Sequence, residues 1–368
     1  MTQVLIKPTP GDESPTAKLL WGEPAHTALS KLKSSSVHAV ITELPVPGAG
    51  WGGVPTLWPD VSYQPLPELD AQISVASSET PFGEETNSEE FIAHAIMTFR
   101  SVGKVLRPDG TLWVHVRDRY SKDKQLSLIP QRLALAMQAE GWYLRNEIIW
   151  NRENAVPDSV KDRLTQSHGT ILFFAHPMSK GKGYFYDADP LREPHISQDE
   201  KHISGYNKDV NLADGYSRRP ALEKAWHPKG RNKRTVWNVN LGAYLGQAIS
   251  PWPAELVEPM IKASISEGGC CENCGSQLHR GAGDEWVRAC GHTGKVVRPT
   301  VLDPFAGTST TGKVALDWGA NFIGIDIDDK VLPEARARLE GVHQSRRAAQ
   351  ESQAENPAWE AFTQEGGK

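Results

Sequence analysis

Val301-Leu302-Asp303-Pro304-Phe305-Ala306-Gly307-Thr308-Ser309-Thr310-Thr311-Gly312 reads as a buried strand, a glycine turn and the start of a helix. Such a turn at a helix N-terminus lets a small ligand lie against bare backbone. The next apolar run, Asn321-Phe322-Ile323-Gly324-Ile325-Asp326, ends in a carboxylate about twenty residues further on, the spacing of an acid that holds ribose hydroxyls in a doubly wound α/β sheet. The same residues admit two rivals. Gly307 to Lys313 spells G-x-x-x-x-G-K, the outline of a P-loop-like nucleotide-binding protein. That motif needs Ser or Thr next, where Val314 stands, and it gives Asp303-Pro304-Phe305 no role. The blander rival is a glycine turn in some other α/β protein.

The 368 residues suffice for one large α/β domain with insertions, or for two domains. With 39% hydrophobic and 23% charged residues the composition is that of a soluble globular protein. No stretch approaches the ~18 apolar residues of a membrane span. Met1 to Lys18 is polar and proline-rich, without the apolar core of a signal peptide, so a cytoplasmic location is expected. A net charge of −5 excludes a general polycation, so nucleic-acid binding needs a local basic face. Lys180 and Lys182 in a glycine-rich loop, and the tighter cluster Lys229, Arg231, Lys233 and Arg234, are the candidates; the alternative is a solvated face.

All four cysteines fall between 270 and 290. Cys271-x-x-Cys274 is followed, after fifteen intervening residues, by Cys290-x-His292. Two short-spaced pairs supply four ligands in a tetrahedron, which suits one structural zinc; Cys270 and His279 stand as substitutes, and unliganded thiols as the alternative. The Gly, Asp and Arg residues between the pairs offer no apolar core, in keeping with a zinc-ribbon-like module held by metal. No open ligand position or general base points to a catalytic zinc.

Elsewhere strands alternate with helices. Val37 to Thr42 reads as a buried strand, followed by a Pro-, Gly- and Trp-rich loop to about residue 88. Phe91, Ala95, Phe99 and Val102 recur at helical spacing between Glu89 and Leu106. Arg107-Pro108-Asp109-Gly110 is a turn, Thr111 to Val116 a strand, Leu128 to Gly141 a helix, and Trp142 to Trp150 and Thr170 to Phe174 further strands. Pro253 to Ser264 is a late helix. The alternation implies a mostly parallel sheet with helices on both faces.

In this order the segments resemble the permuted (beta) group of DNA amino-methyltransferases, in which the catalytic motif comes first, target recognition next and the cofactor motif last. The resemblance spans roughly residues 19 to 340. Asp303 to Thr311 is similar to the family's DPFxGSGTT, with Thr308-Ser309 in place of Ser-Gly. Leu106 to Leu112, Gly141 to Trp150, Thr235-Val236-Trp237 and Pro253 to Leu256 resemble further family segments, and the cysteine module and Trp-Gly-rich loop are similar to those of phage or prophage members. The resemblance implies a seven-stranded Rossmann-like sheet with the strands Val301–Asp303 and Val37–Thr42 side by side. The implied parts are an N-terminal tail (1–18), methyltransferase segments (19–150, 236–269, 296–341), a target-recognition insertion over the mouth of the sheet (151–235), the zinc-ribbon-like module (270–295) and a flexible C-terminal tail (342–368).

It also implies S-adenosylmethionine as cofactor, double-stranded DNA as substrate, a restriction-modification setting and a homodimer. Gly307, with Pro304, Ala306 and Thr308 beside it, approaches the methionine part; Asp303 lies near its ammonium; Phe305 packs on the ligand; Asp326 bonds the ribose. The family's catalytic motif is Asp, Asn or Ser, then Pro-Pro and an aromatic residue. Here Thr42 is followed by Glu43-Leu44-Pro45-Val46. An exocyclic base amine is a poor nucleophile because its lone pair is shared with the ring, so its hydrogens need acceptors. Glu43 and the Leu44 carbonyl are the candidates, with Pro45 fixing the loop; Val46 cannot stack on a flipped base, and Trp51 or Trp58 would have to supply the ring. Keeping an acid at the first position favours adenine N6 over cytosine N4. The readings left open are an active amino-methyltransferase, a catalytically impaired relative that binds cofactor or DNA, and a related fold acting on another substrate. Carbon-5 methylation lacks a cysteine near the first strand. Hydrolase chemistry lacks a G-x-S-x-G elbow, and His115, His168 and His176 read as structural or solvated.

Overall fold

The computed structural model describes residues 1–8, 14–45, 53–155, 157–195, 227–242 and 252–354. Nine strands form the main sheet: β1 (Thr2–Ile6), β2 (Ala17–Trp21), β3 (Val37–Glu43), β4 (Leu106–Val116), β5 (Tyr143–Asn151), β6 (His168–Ala175), β7 (Val236–Asn238), β8 (Thr300–Asp303) and β9 (Asn321–Asp326). Their order is β1-β2-β9-β8-β3-β4-β6-β5-β7. The block from β2 to β4 is parallel, with β8 beside β3 as expected. The strand β6 runs antiparallel to β4 and to β5. Val37 and Ala39 to Thr42 are wholly buried, as a central parallel strand covered on both faces requires.

Helices α1 (Ala25–Leu29), α2 (Ser88–Val105) and α3 (Ile129–Ala139) cover one face; α4 (Ala254–Ser264), α5 (Thr310–Asp317) and α6 (Leu332–Ala354) cover the other. Asn87 caps α2 by accepting from the Glu90 N–H at 2.8 Å, and Glu89 and Glu90 lie in its first turn, where the helix dipole favours acids. Its apolar stripe, Phe91, Ile92, Ala95, Ile96, Phe99 and Val102, is fully buried. Gly141, at φ +89°, ends the segment after α3 in a left-handed conformation.

Four expectations are corrected. Among the described residues the sheet has nine strands, not seven. Within the expected tail, β1 and the start of β2 pair antiparallel and continue the sheet beyond β9, while residues 9–13 lie outside the described residues. Within the span 151–235 expected as an insertion, His168–Ala175 is the buried sheet strand β6 between β4 and β5, and residues 196–226 lie outside the described residues. At the C-terminal end α6 carries helix to Ala354, and residues 355–368 lie outside the described residues. The segment after β3 also holds two small ladders, Leu57–Trp58 with Ser78–Glu79 and Val61–Tyr63 with Ile73–Val75.

Candidate active site at the carboxyl end of the sheet

Strands β3, β8 and β9 are neighbours and end at one edge, so Glu43, Asp303 and Asp326 converge there. Asp303 is 2% exposed. Its Oδ1 accepts from Thr42 Oγ1 at 2.7 Å and from the Phe305 N–H at 3.1 Å, and its Oδ2 from Thr311 Oγ1 at 2.7 Å. The Thr42 bond ties the residue before Glu43 directly to the glycine loop. Burial pushes the Asp303 carboxyl up to about 7, against these hydrogen bonds. With both oxygens engaged, it serves as the brace beneath the loop.

Asp326 braces the other side of the turn. Its Oδ2 accepts from the Gly307 N–H at 2.8 Å and its Oδ1 from the Asp328 N–H at 2.9 Å. Burial raises this carboxyl to about 6. Gly307 sits at φ +48°, and a Cβ built there meets nothing within 4 Å, so the turn faces open space. Pro304, Ala306 and Thr308 are buried or nearly so, and Phe305 packs 5.2 Å from Phe82, an aromatic contact on the cleft that the sequence pattern did not flag. Ser309 is left-handed (φ +61°), which explains why the family motif has glycine at this position; its buried hydroxyl finds no partner among the described residues. Lys313 bonds Asp317 at 2.6 Å on the surface rather than folding over the turn, so it does not act as a P-loop lysine.

Glu43 lies in register with His115 on β4. His115 Nδ1 is 3.0 Å from Glu43 Oε1, and Arg117 Nη2 is 3.2 Å from the same oxygen. Burial pushes the His115 imidazole below its ordinary value; Glu43 opposes this, and Arg117 and Arg152 add to it. Its Nδ1 carries the hydrogen that faces Glu43, since a carboxylate only accepts. Burial would raise the Glu43 carboxyl, but the His115 and Arg117 donors bring it below the usual carboxylate range. His115, which reads from the sequence as structural or solvated, thus stands in contact with the candidate amine acceptor Glu43. The signal was its place at the end of the strand after the Arg107–Gly110 turn, but its meeting with Glu43 depends on a register that no local pattern reveals. Leu44 is buried, and its N–H donates to the His115 carbonyl; Pro45 follows it. Val46 and Trp51 lie outside the described residues. Trp58 is 2% exposed, stacked 4.1 Å from His94 and bonded through Nε1 to Thr80, so it is packing and not a ring open to a base.

The sulfurs of Cys271, Cys274 and Cys290 and a ring nitrogen of His292 all lie within 4.8 Å of one another. Cys270 is outside this group: its thiol donates to the Val297 carbonyl, and burial raises it to about 11. His279 instead packs against Phe185. The module docks at the amino end of the sheet, where Arg107 donates to the Cys274 carbonyl at 2.7 Å and His38 Nε2 lies 2.9 Å from the Gly275 carbonyl.

The basic residues singled out from the sequence lie away from the cleft. Because β6 runs downward, Lys180 and Lys182 follow its amino-end terminus, where His176 bonds the Gly103 carbonyl. Lys229 pairs with Asp189 and Asp284, while Arg231, Lys233 and Arg234 gather around Glu193. Asp187, near Asp189 in the chain, pairs with Arg280 of the cysteine module. At the cleft end stand two other basic loops: 117–128 after β4, with Arg119, Lys122 and Lys124, and the β5–β6 turn, with Arg152, Lys161 and Arg163. Lys124 bonds Asp162, and Arg163 lies 3.8 Å over the Tyr120 ring, so the two loops are joined.

The family model described as DNA methylase (N6_N4_Mtase) matches residues 74–337. Type II methyltransferase M.XycI of Xanthomonas campestris pv. cyanopsidis is 29% identical over 345 residues, covering 86% of each chain. M.Cfr9I of Citrobacter freundii is 29% identical with the same coverage. Among solved structures, the cytosine-N4-specific PvuII DNA methyltransferase shares the fold, with a TM-score of 0.53 at 14% identity, over 90% of this chain and 94% of that one.

Proposed function

The chain belongs to the N6/N4 DNA methylase family, and from that premise we propose that it transfers a methyl group from S-adenosylmethionine to an exocyclic amine of a base in duplex DNA, adenine N6 before cytosine N4. The observation that carries this reading is the Thr42–Asp303 hydrogen bond, which holds the amine-accepting position beside the glycine turn. The turn fits the cofactor: open space above Gly307, an orphaned Ser309 hydroxyl and a carboxylate at Asp326 offer backbone, donor and acceptor to a nucleoside with a charged tail. When bound, S-adenosylmethionine supplies an electrophilic methyl on sulfur. Asp326 would hold the ribose hydroxyls, Phe305 would pack on the ligand and Gly307 would leave room for the methionine part. Glu43 takes a hydrogen bond from the target amine and receives the proton that the amine sheds; the Leu44 carbonyl accepts the second hydrogen. The positively charged nitrogen formed as the methyl arrives is a strong acid, so a weak base suffices to take its proton and position matters more than basicity.

The test is expression in a host free of DNA methylation, followed by sequencing for modified bases. Modified adenine or cytosine at one short sequence, lost in Glu43→Ala, supports the reading. A second reading, cofactor and DNA binding without methylation, has one observation in its favour: Glu43 already accepts from His115 and Arg117. It predicts an unmodified genome with S-adenosylhomocysteine binding intact, and recovery of methylation on combining Glu43→Asp, Leu44→Pro and Val46→Tyr.

The same proposal includes one structural zinc on Cys271, Cys274, Cys290 and His292. In a tetrahedron with Zn–S bonds of 2.3 Å, ligand atoms lie about 3.8 Å apart, which the cluster accommodates without rebuilding. The Cys271 thiol is lowered to about 6, first by the Cys274 backbone, towards the thiolate a metal requires. DNA phosphates would meet the two basic loops at the cleft end.

A further inference from the structure

We propose that His115 and Arg117 are positioning residues for methyl transfer: together they hold one oxygen of Glu43 and leave the other presented to the target amine. The proposal rests on the methyltransferase reading above and names what replaces the missing Pro-Pro-aromatic frame. Both donors converge on Oε1, at 3.0 and 3.2 Å. No described residue donates to Oε2, and the Glu43 side chain keeps 18% of its exposure. A glutamate is one carbon longer than the aspartate of the family motif and has one more rotatable bond. Left unheld, it would sample several rotamers at an opening where about 1 Å of misplacement costs about 100-fold in rate. Two donors on one oxygen remove that freedom and fix where the second oxygen points.

The surroundings are built for the ring. His115 is fully buried, edge-on to Trp150 at 5.0 Å and 6.2 Å from Trp252. Its Nε2 has no hydrogen-bond partner among the described residues, so the ring is held by packing and by Glu43. The neighbouring strand carries Gly169, where a Cβ would come within 2.4 Å of that nitrogen. A histidine here therefore requires a glycine across the sheet. The group pointing at Glu43 is the Nδ1–H, a single fixed donor.

The experiment uses the full-length protein, unmethylated genomic DNA and S-adenosylmethionine with a labelled methyl. The variants are His115→Leu, His115→Asn, which returns an N–H close to the Nδ1 position, and Arg117→Gln. His115→Leu should lower kcat about 100-fold while KM for S-adenosylmethionine and affinity for S-adenosylhomocysteine stay at wild-type values. His115→Asn should recover kcat to within about tenfold of wild type, and Arg117→Gln, which opens no buried cavity, should lose about tenfold through one charged hydrogen bond. Wild-type kcat in His115→Leu overturns the proposal. So does an asparagine variant as slow as the leucine one when both bind S-adenosylhomocysteine normally. If His115→Leu loses S-adenosylhomocysteine binding through misfolding, the other two variants decide, and wild-type kcat in both overturns it. A wild type that methylates no base overturns the methyltransferase reading and this proposal with it, and is distinguished by failing before any variant is made.

Discussion

Asp326 and Asp303 give the site its dependence on pH. Both carboxyls are raised by burial, to about 6 and about 7. On the proposed assignment of Asp326 to the ribose hydroxyls, the ionised carboxylate binds best, so affinity for S-adenosylhomocysteine should rise as pH climbs through about 6 and level off above it. Calorimetry at pH 5.5 and pH 8 checks this; equal affinities, or no flattening in Asp326→Asn, would count against the assignment. Stability of the ligand-free protein runs the other way. The folded state keeps these protons where the unfolded chain, with ordinary carboxyls, has released them. Their contribution is fully present below the unfolded value and is lost as pH rises through about 6 and 7. Ser309 carries a second prediction at this scale. A non-glycine residue in the left-handed region costs about 1 kcal/mol, so Ser309→Gly should raise the unfolding temperature by about 2 °C. An unchanged or lower midpoint would mean that the Ser309 hydroxyl contributes more than its backbone strain costs.

At the scale of elements, the cysteine module docks on the sheet at the end opposite the glycine turn. Arg107 at the start of β4 and His38 at the start of β3 grip the backbone at Cys274 and Gly275. Purified protein should contain about one zinc per chain. Cys274→Ser should lower the unfolding temperature while affinity for S-adenosylhomocysteine stays within about twofold, because the residues that shape the glycine turn lie at the other end of the strands. A metal-free protein with wild-type stability refutes the zinc assignment, and loss of ligand affinity refutes the separation of the two ends. The unit β8–α5–β9 is legible in the sequence because strand, turn, helix and acid follow one another within 26 residues (301–326). The cysteine cluster is legible for the same reason. The pairing of Glu43 with His115 is not, because 72 residues separate them and only the alignment of β3 with β4 brings them together. The strands β1 and β2 are hidden because each is a five-residue segment in polar surroundings, recruited by a sheet edge rather than by its own pattern.

For the whole molecule, the direction of β6 decides which basic residues stand at the cleft end of the sheet. A strand read without its partners has no direction, and this is why Lys180 and Lys182 look equivalent in the sequence to any other exposed cations. Binding to duplex DNA should weaken steeply with salt. Replacing Lys122, Lys161 and Arg163 by alanine should reduce the slope of log affinity against log salt by about one for each side chain that pairs with a phosphate. Replacing Lys180 and Lys182 should leave the slope unchanged. Titrations of a labelled duplex at several salt concentrations measure both, and the reverse outcome would move the DNA to the opposite end of the sheet.

The pairing of β2 with β9 joins parts of the chain that leave the ribosome far apart in time. Thr16 donates to the Asn321 side chain across 305 residues, and Ala17 to Trp21 lie alongside Phe322 to Asp326. During synthesis β3 and β4 emerge early, whereas β8 and β9 emerge after most of the polypeptide has been made. The edge of β3 that later receives β8 is therefore exposed through much of translation, and non-local pairings of this kind are slow to close. Nascent chains halted before residue 300 should be cleaved readily by protease. Resistance should appear only once β9 has cleared the exit tunnel, at the same length at which the chain first retains S-adenosylhomocysteine. A newly made molecule would then have no interval in which β3 is folded while the glycine turn after β8 is missing.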